Sequence, residues 1–402
     1  MRVLLFTGKG GVGKTTLAAA TAARLAADGR KTLVVSTDPA HSLGDALGVH
    51  LTGDVAEPVD GLFASQLDLR RLVDANWHHL RTHLRTLLAG AGVDDLAAEE
   101  LTVLPGVEEL LALSEVYRQA ANGPWEVVVV DCGPTAETLR LITLPEALSG
   151  YLERLFPTHR RVVRGLLAGI AGARQVDSWD AAADALGRLA EHVESLRAAL
   201  ADPSRTSVRL ITTPERVVAA ETRRTLTALA VHGIRVDGVI ANRLIPVFGP
   251  RRGPSATWLH TRRAEQDAVL ADLADVPLRT VPHLAAEPIG VPALLEVAAD
   301  LYGDVDPLGG PETGQPLLSV SGNSSSLDSR YRLTIAIPLP ADAEVDLARV
   351  GDELAVTIDS RRRLIALPPV LRRCQVVGAE TDAKGLEIHF QPDPTLWPRP
   401  TE

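Results

Sequence analysis

Gly8-Lys9-Gly10-Gly11-Val12-Gly13-Lys14-Thr15 is the stretch that decides the fold of this 402-residue chain. It follows the apolar run at residues 3–6 and precedes an Ala-rich segment that begins at Thr16. A strand, a glycine-rich loop and a helix in this order are typical of a phosphate-binding P-loop. Glycines let successive backbone N–H groups face a phosphate chain, and the start of the helix adds the positive end of its dipole.

Two side chains of this loop suit a nucleotide. Lys14 can neutralise the β- and γ-phosphates, and the hydroxyl of Thr15 can ligate Mg²⁺. A glycine-rich turn that matches the pattern by chance is the alternative, and the flanking strand and helix argue against it. We therefore expect a nucleotide with Mg²⁺ at this loop.

The composition limits the class of protein. The chain has 41 Lys and Arg against 51 Asp and Glu, which argues against a general nucleic-acid binder. No apolar run approaches the roughly 20 residues of a membrane span, and the chain begins with a strand, which leaves no room for a signal peptide. The two cysteines, Cys132 and Cys374, give neither a disulfide framework nor a paired metal motif. We expect a cytoplasmic protein that binds no nucleic acid.

Strand-like apolar runs alternate with helical patterns through residues 1–302. Strands are predicted at residues 3–6, 31–37, 125–130, 207–212, 236–242 and 276–284, with a helix between residues 214 and 233 and a closing helix at residues 292–301. This alternation predicts an α/β fold with a doubly wound, mostly parallel sheet.

Helical periodicity is found in two longer stretches, at about residues 62–122 and 140–201. Both exceed what simple crossovers between strands need. We therefore expect an inserted helical subdomain on one side of the sheet. Its apolar stripes either form a groove for a client helix or bury against the subdomain's own helices, and the sequence leaves both open.

The last hundred residues have a different character. Residues 303–328 are rich in Pro, Gly and Ser, which predicts a linker. Short strands broken by turns follow at residues 331–337, 353–358, 364–367, 376–381 and 386–390. They predict a small C-terminal all-β sandwich at residues 329–395.

Two acidic residues at strand ends are candidates for the same site. Asp131 ends an apolar strand, where a carboxylate can hold Mg²⁺ directly or through water opposite Thr15; a helix cap or a turn is the alternative role. Asp38 follows another strand, where the carboxyl ends of parallel strands converge. It could orient or deprotonate an attacking water, or it could simply form a turn before Pro39.

Several segments resemble one family. The P-loop with its additional Lys9 resembles the deviant P-loop of dimeric ATPases. The segment at residues 36–46, Ser-Thr-Asp-Pro-Ala-His-Ser-Leu-Gly-Asp-Ala, resembles switch I of the arsenite-pump and tail-anchored-protein-targeting ATPase family. The segment at residues 131–141, Asp-Cys-Gly-Pro-Thr-Ala-Glu-Thr-Leu-Arg-Leu, resembles its switch II. The resemblance covers about residues 1–302, and the tail is similar to the small heat-shock (alpha-crystallin-like) domain appended to some bacterial members.

The resemblance implies an ATP hydrolase that binds ATP and Mg²⁺ and works as a homodimer. Lys9 would cross the dimer interface to the partner's nucleotide like an arginine finger, Asp38 would orient the water, and Asn242 would read the adenine edge. His283 lies where the family places a loop beside the base, although a surface histidine is the alternative. The nucleotide-binding positions would be Gly8, Gly10, Gly11, Val12, Gly13, Lys14, Thr15, Thr16 and Asn242.

Two departures from the family pattern bear on function. Ala136-Glu137 stands where Gly-His is usual in switch II, so the coupling between γ-phosphate and helical subdomain is expected to differ in detail. With two cysteines in different domains, a three-thiolate arsenite site cannot form within one chain. The zinc-bridging Cys-x-x-Cys of eukaryotic targeting factors is missing as well.

Three functions fit these residues. The first is a dimeric ATPase whose helical subdomain opens and closes to bind and hand over a hydrophobic protein segment, with a peripheral membrane receptor as a further candidate partner. The second is the motor subunit of an arsenite or anion efflux system, against which the cysteine count argues. The third is a slow nucleotide-gated interaction switch that recruits a partner through the β-domain.

Overall fold

The computed structural model describes residues 1–40, 42–69, 71–72, 107–135, 139, 191–247, 253–273, 276–309, 318–322, 329–335, 344–358, 361–382 and 385–397. The chain divides into two compact units. The first contains Met1–Ser207 and Leu284–Pro307, and the second contains Val208–His283 and Leu308–Glu402. The helices are α1 (Lys14–Ala27), α2 (Ser42–Leu47), α3 (Val107–Asn122), α4 (Arg216–Val231), α5 (Pro254–Ala271) and α6 (Val291–Tyr302), and residues 191–201 are also helical.

In the described residues, the first unit contains five strands of a mostly parallel sheet. They are β1 (Arg2–Gly8), β2 (Thr32–Ser36), β3 (Ala56–Val59), β4 (Leu62–Gln66) and β5 (Val127–Pro134), in the order β3-β4-β2-β5-β1. All neighbours are parallel except β3, which runs antiparallel to β4. The continuous apolar runs of β1, β2 and β5 are buried, which is typical of parallel strands covered by helices on both faces.

Helix α6 returns the chain to the helix that follows the P-loop. The hydroxyl of Tyr302, the last residue of α6, lies 2.7 Å from the hydroxyl of Thr21 on α1. One residue on, the carbonyl of Gly303 accepts a hydrogen bond from Arg24 at 3.0 Å. Arg30 forms a two-pronged ion pair with Asp306. The start of the predicted linker is therefore bound to the end of α1.

The second unit contains most of strand β6 (Thr206–Thr212), from Val208 onward, and the strands β7 (Val236–Leu244) and β8 (Leu278–Pro282), and all three are parallel. A buried ion pair joins β6 to β7. Arg209 donates to both carboxylate oxygens of Asp237, at 3.0 and 2.7 Å, and both side chains are at most 7% exposed. Asp237 occupies the extra position of a register shift, which turns its side chain toward Arg209.

The second unit also contains the predicted β-sandwich. One antiparallel sheet has the order β14-β15-β10-β9 and the other the order β11-β12-β13. Their strands are β9 (Leu318–Gly322), β10 (Tyr331–Ile335), β11 (Val345–Val350), β12 (Glu353–Ile358), β13 (Arg361–Ala366), β14 (Cys374–Asp382) and β15 (Gly385–Pro392). Alternating side chains of both sheets, such as Leu333, Val356 and Ile388, form a buried core. Ala230 and Val231, at the end of α4, belong to the same buried cluster.

The predicted fold class is confirmed, with differences in detail. The prediction of a helical stretch from residue 62 is wrong at its start, because Leu62–Gln66 is strand β4 and pairs in register with β2. Part of the predicted linker, Leu318–Gly322, is strand β9 and pairs with β10. Strands β3 and β11 and helices α2 and α5 were not predicted. Of the two predicted helical stretches, most of residues 68–106 and 136–190 lies outside the described residues.

No helix in the described ranges combines the length and the apolar character that a membrane crossing requires.

The ion pair between β6 and β7 gives a prediction about stability. Asp237→Ala leaves the Arg209 guanidinium buried without its carboxylate, and we expect a loss of about 3–5 kcal/mol in the free energy of unfolding. Replacing both residues by apolar ones, Arg209→Met with Asp237→Leu, should restore most of that loss because no charge then remains buried. Urea unfolding of the full chain measures both. If Asp237→Ala were as stable as the parent, the ion pair between Arg209 and Asp237 would not stabilise the fold, and the prediction would be wrong.

Candidate nucleotide-binding site

The P-loop connects β1 to α1 through glycines in conformations that other residues adopt poorly. Gly11 and Gly13 have φ angles of 79° and 93°, in the left-handed region. Gly13 is the N-cap of α1, and no side chain in the described part of the protein caps this helix. The first N–H groups of α1 therefore face the loop, with no acidic residue in the first turn to compete for them. This arrangement fits a phosphate chain.

Lys14, the first residue of α1, folds back over the loop. Its side chain is only 6% exposed, and its ammonium group donates a hydrogen bond to the main-chain carbonyl of Lys9 at 3.3 Å. A phosphate oxygen could replace that carbonyl, since the ammonium group has three donors and already points over the loop. Lys9 itself is partly exposed, unlike Lys14.

Two hydroxyl groups connect the P-loop helix to the predicted switch I segment. Thr15 Oγ1 lies 3.0 Å from the hydroxyl of Ser42, the first residue of α2. Both side chains are partly exposed. Because hydroxyl oxygens are ligands of hard cations, the pair provides oxygen donors at the start of both helices.

Asp131 lies on β5 at the centre of the sheet and is fully buried. Its Oδ2 accepts a hydrogen bond from the Ser36 hydroxyl at 3.0 Å, and its Oδ1 makes no hydrogen bond of ordinary geometry among the described residues. Burial raises the pKa of Asp131 to about 7, from an ordinary value of 3.8, and the charge of Asp38 acts in the same direction. The Thr15 and Ser36 hydroxyls and the Lys14 ammonium group partly oppose this rise in the pKa.

These residues fit a magnesium ion. A buried carboxylate oxygen that lacks a partner is the group a cation would satisfy, and Thr15 and Ser42 add hydroxyl oxygens beside it. Among the described residues no group of three His, Cys, Asp or Glu side chains could hold a metal ion. A site with one carboxylate and two hydroxyl groups suits Mg²⁺, because Mg²⁺ keeps several waters and shares its coordination sphere with phosphates rather than occupying an all-protein cage.

Asp38 begins the loop after β2, and its main chain is held on both sides. Its N–H donates to the Ser36 hydroxyl at 3.2 Å, and its carbonyl accepts from Nε2 of Gln66 at 2.9 Å. Its carboxylate Oδ1 accepts a hydrogen bond from the N–H of Ala40 at 2.9 Å, which is the turn geometry expected before Pro39. The turn role and the site role are therefore compatible, because the Ser36 hydroxyl that accepts from the Asp38 N–H also donates to Asp131.

The structure thus brings Lys14, Thr15, Asp38 and Asp131 together in the first unit. Asn242 belongs to the second unit, on β7, where its Oδ1 accepts from the N–H of Arg243. Arg243 has a φ angle of 61°, which is strained for a residue with a side chain and is common at functional sites.

Three further predicted positions are His283 and the switch II residues Ala136 and Glu137. His283 is exposed, and its N–H donates to the carbonyl of Leu244. Ala136 and Glu137 of switch II lie outside the described residues. The functional roles of these positions, of Lys9 and of Asn242 stay predictions.

Sequence reasoning missed three polar residues of the site, Ser36, Ser42 and Gln66. Ser36 and Ser42 stand within the segment recognised as switch I, so their position gave a signal that was not used. Gln66 gave none, because the strand that carries it was predicted as helix.

Two protein-family models match this chain, and several known proteins are similar to it over most of its length. A protein-family model described as "Anion-transporting ATPase" matches residues 1–303, and one described as "HSP20-like domain found in ArsA" matches residues 328–390. The chain is 40% identical over 422 residues to the protein Rv2184c of Mycobacterium tuberculosis, covering 99% of this chain and 97% of that protein. It is 32% identical to a Chlorobaculum tepidum protein provisionally named an arsenical pump-driving ATPase, covering 97% and 96%. It is 30% identical to the ATPase GET3B of Arabidopsis thaliana, covering 71% and 75%.

The buried carboxylate predicts an unusual pH dependence of stability. The unfolded state loses the Asp131 proton near its ordinary pKa of 3.8, whereas the folded state keeps it until about 7. Between these values the folded state binds more protons, so raising the pH lowers the free energy of unfolding. We expect the stability of the parent relative to Asp131→Asn to fall by roughly 3 kcal/mol from about pH 5 to about pH 8.

The measurement is chemical unfolding in EDTA without nucleotide, with Asp131→Asn as the reference that cannot titrate. A difference in stability between the parent and Asp131→Asn that does not change with pH would contradict the raised pKa of Asp131. With ATP and Mg²⁺ added, the ionised form is favoured and the fall should become smaller.

Proposed function

This chain belongs to the anion-transporting ATPase family and hydrolyses ATP, and we propose that it acts as a Mg²⁺-dependent homodimer that binds and hands over a hydrophobic protein segment. The family resemblance of the sequence is confirmed. One observation carries the Mg²⁺–nucleotide part of the proposal. The phosphate loop, the Thr15–Ser42 hydroxyl pair and the Asp131 oxygen that has no hydrogen-bond partner among the described residues lie near the carboxyl ends of β1 and β5.

In this proposal each candidate site residue has a defined task. Thr15 and Asp131 would hold Mg²⁺, Asp131 directly or through water, and the chemistry that the ion would supply is neutralisation of charge on the β- and γ-phosphates. Lys14 exchanges its bond to the Lys9 carbonyl for a phosphate oxygen. Asp38 orients the attacking water, with its main chain fixed by Ser36. The proposed role of the Asn242 amide at the adenine edge rests on the family resemblance alone.

The dimer follows from the additional lysine of the P-loop. Lys14 is buried over its own loop, whereas Lys9 is partly exposed at the same loop. A second chain placed against this loop would bring its own Lys9 to the nucleotide and stabilise the charge that develops on the transferred phosphoryl group. Each active site would then contain residues of both chains.

The client is proposed from the helical subdomain. In the described part, α3 buries Ala112, Leu113, Val116 and Ala120, so this stripe already packs within the first unit. The other predicted apolar stripes lie outside the described residues, and in this proposal they would form the client-binding face and would open and close as switch I and switch II respond to γ-phosphate. The match of the tail to an HSP20-like domain supports a role in handling polypeptides.

A motor for arsenite efflux is a second candidate, favoured by the name of the Chlorobaculum tepidum relative. Arsenite is held by soft thiolate ligands. Cys132 and Cys374 are both buried, and they belong to different units. The proposed client role needs no thiolate and is preferred for that reason.

The two-chain active site can be tested by mixing inactive variants. Lys9→Ala and Asp38→Asn should each reduce hydrolysis strongly. In a mixed dimer, the site that has an intact Asp38 also receives an intact Lys9 from the other chain. We expect equimolar mixtures to regain about a quarter of the parent rate, since about half of the dimers are mixed and one of their two sites is complete.

The control is a mixture of Lys14→Ala with Asp38→Asn. Both substitutions affect the chain that binds the nucleotide, so no mixed dimer has a complete site and no recovery is expected. Recovery there, or none with Lys9→Ala despite chain exchange shown by tagged protomers, would count against the two-chain site.

Steady-state ATP hydrolysis separates the candidate functions. We expect an apolar helical peptide of about 20 residues, the length of a membrane span, to change the rate by about 2-fold or more. A peptide of the same composition with charges placed along its apolar face is the control. Stimulation by arsenite instead would favour the efflux motor, and no response to either would favour a slow interaction switch.

A further inference from the structure

Gln66 ends strand β4 beside the proposed active site. It is 3% exposed, and it pairs in register with Ser36 at the end of β2. Ser36 in turn pairs with Asp131 on β5. Neighbouring residues in register on parallel strands turn their side chains to the same face of the sheet, so the three residues form a row along its carboxyl edge. The hydrogen bond from Ser36 to Asp131 agrees with this.

The row holds both polar groups of the Asp38 main chain. Ser36 accepts from the N–H of Asp38, and Gln66 donates to its carbonyl at 2.9 Å. Asp38 lies beyond the end of β2, where the sheet ladder no longer fixes the backbone. These two side chains therefore fix the main-chain position of Asp38, from which its carboxylate extends. Gln66 provides one of the two hydrogen bonds.

The other half of the Gln66 amide is unsatisfied. Its Oε1 is buried and has no hydrogen-bond partner in the part of the chain that the structure describes. The opposite amide orientation would set an oxygen against the Asp38 carbonyl oxygen, so the hydrogen-bonding network fixes which atom points there. A buried amide oxygen without a partner is costly, and at this place it offers an acceptor to a water molecule.

We infer that Gln66 is a positioning residue for ATP hydrolysis, which holds the main chain of Asp38 so that its carboxylate meets the attacking water. This inference rests on the proposed function, because it acts through Asp38. No recognised motif includes Gln66, and its strand was predicted as helix.

A second glutamine provides a matched control. Gln119 on α3 is 7% exposed, and it also makes side-chain hydrogen bonds around β4. Its Oε1 accepts from Ser65, the neighbour of Gln66, while its Nε2 donates to the carbonyl of Gly53 and to Glu115. Since Ser65 and Gln66 are adjacent on a strand, they face opposite sides of the sheet. Gln119 therefore supports the same strand without a hydrogen bond to Asp38.

The experiment compares Gln66→Met with Gln119→Met in the full chain. Methionine keeps the length and flexibility of glutamine and removes its hydrogen bonds. We expect Gln66→Met to lower kcat for ATP by about 10- to 100-fold and to leave KM within about 3-fold, because the phosphate loop is not touched. The two substitutions should lower the melting temperature by similar amounts. Gln119→Met should keep a kcat near that of the parent.

A double variant shows whether Gln66 acts through Asp38. In an Asp38→Asn background, adding Gln66→Met should lower the residual rate by less than about 2-fold, because the group that Gln66 positions is already lost. A full further loss in that background would overturn the inference, and so would a kcat for Gln66→Met equal to that of Gln119→Met.

The same set of variants separates this inference from the proposed function. If Asp38→Asn alone hydrolyses ATP at the parent rate, the proposed role of Asp38 is wrong and the inference fails with it. If Asp38→Asn is inactive while Gln66→Met is fully active, only the inference fails.

Discussion

The burial of one carboxylate is the constraint on which the site depends. Asp131 lies between β1 and β2 in the centre of the sheet, where desolvation opposes its charge and raises its pKa to about 7. Its ionised form needs hydrogen-bond donors on one oxygen and a cation on the other. Ser36 supplies the donor, and Oδ1 is left for the cation. A Mg²⁺–nucleotide complex would therefore fix the charge of Asp131 as it binds.

The hydroxyl of Ser36 carries this constraint to the rest of the first unit. It connects Asp131 to the main chain of Asp38, and the loop from Asp38 leads to α2, whose Ser42 meets Thr15 of the P-loop helix. The carbonyl of Ala46 in α2 accepts from the N–H of Gly290 at the start of α6, and the end of α6 is bound to α1. The start of switch I is thus linked to β5, and its α2 segment is linked to the helix that would hold phosphate, directly through Ser42 and indirectly through α6.

In the second unit, the C-terminal sandwich is not packed on its own. Ala230 and Val231, at the end of α4, belong to the same hydrophobic cluster as the sandwich core. These two residues lie within the part of the chain that matches the ATPase family, and the sandwich matches an HSP20-like domain. The boundary between the two matches in sequence therefore does not separate two hydrophobic cores.

The sequence by itself determined the features that depend on local chemistry. Glycines with positive φ, a lysine and a threonine at a helix start, and acidic residues at strand ends follow from short segments, so the P-loop, Asp38, Asp131 and the fold class were predicted. Residues 62–66 were misread because a short apolar run suits helix and strand equally, and only pairing with β2 decides between them.

Tertiary structure decided which residues meet. The carboxyl edges of β2, β4 and β5 bring Gln66, Ser36 and Asp131 into one row, although these residues are far apart in sequence. The raised pKa of Asp131 likewise depends on complete burial, which no single segment contains. Register and burial are properties of packing between segments, and for that physical reason they could be seen only in the folded chain.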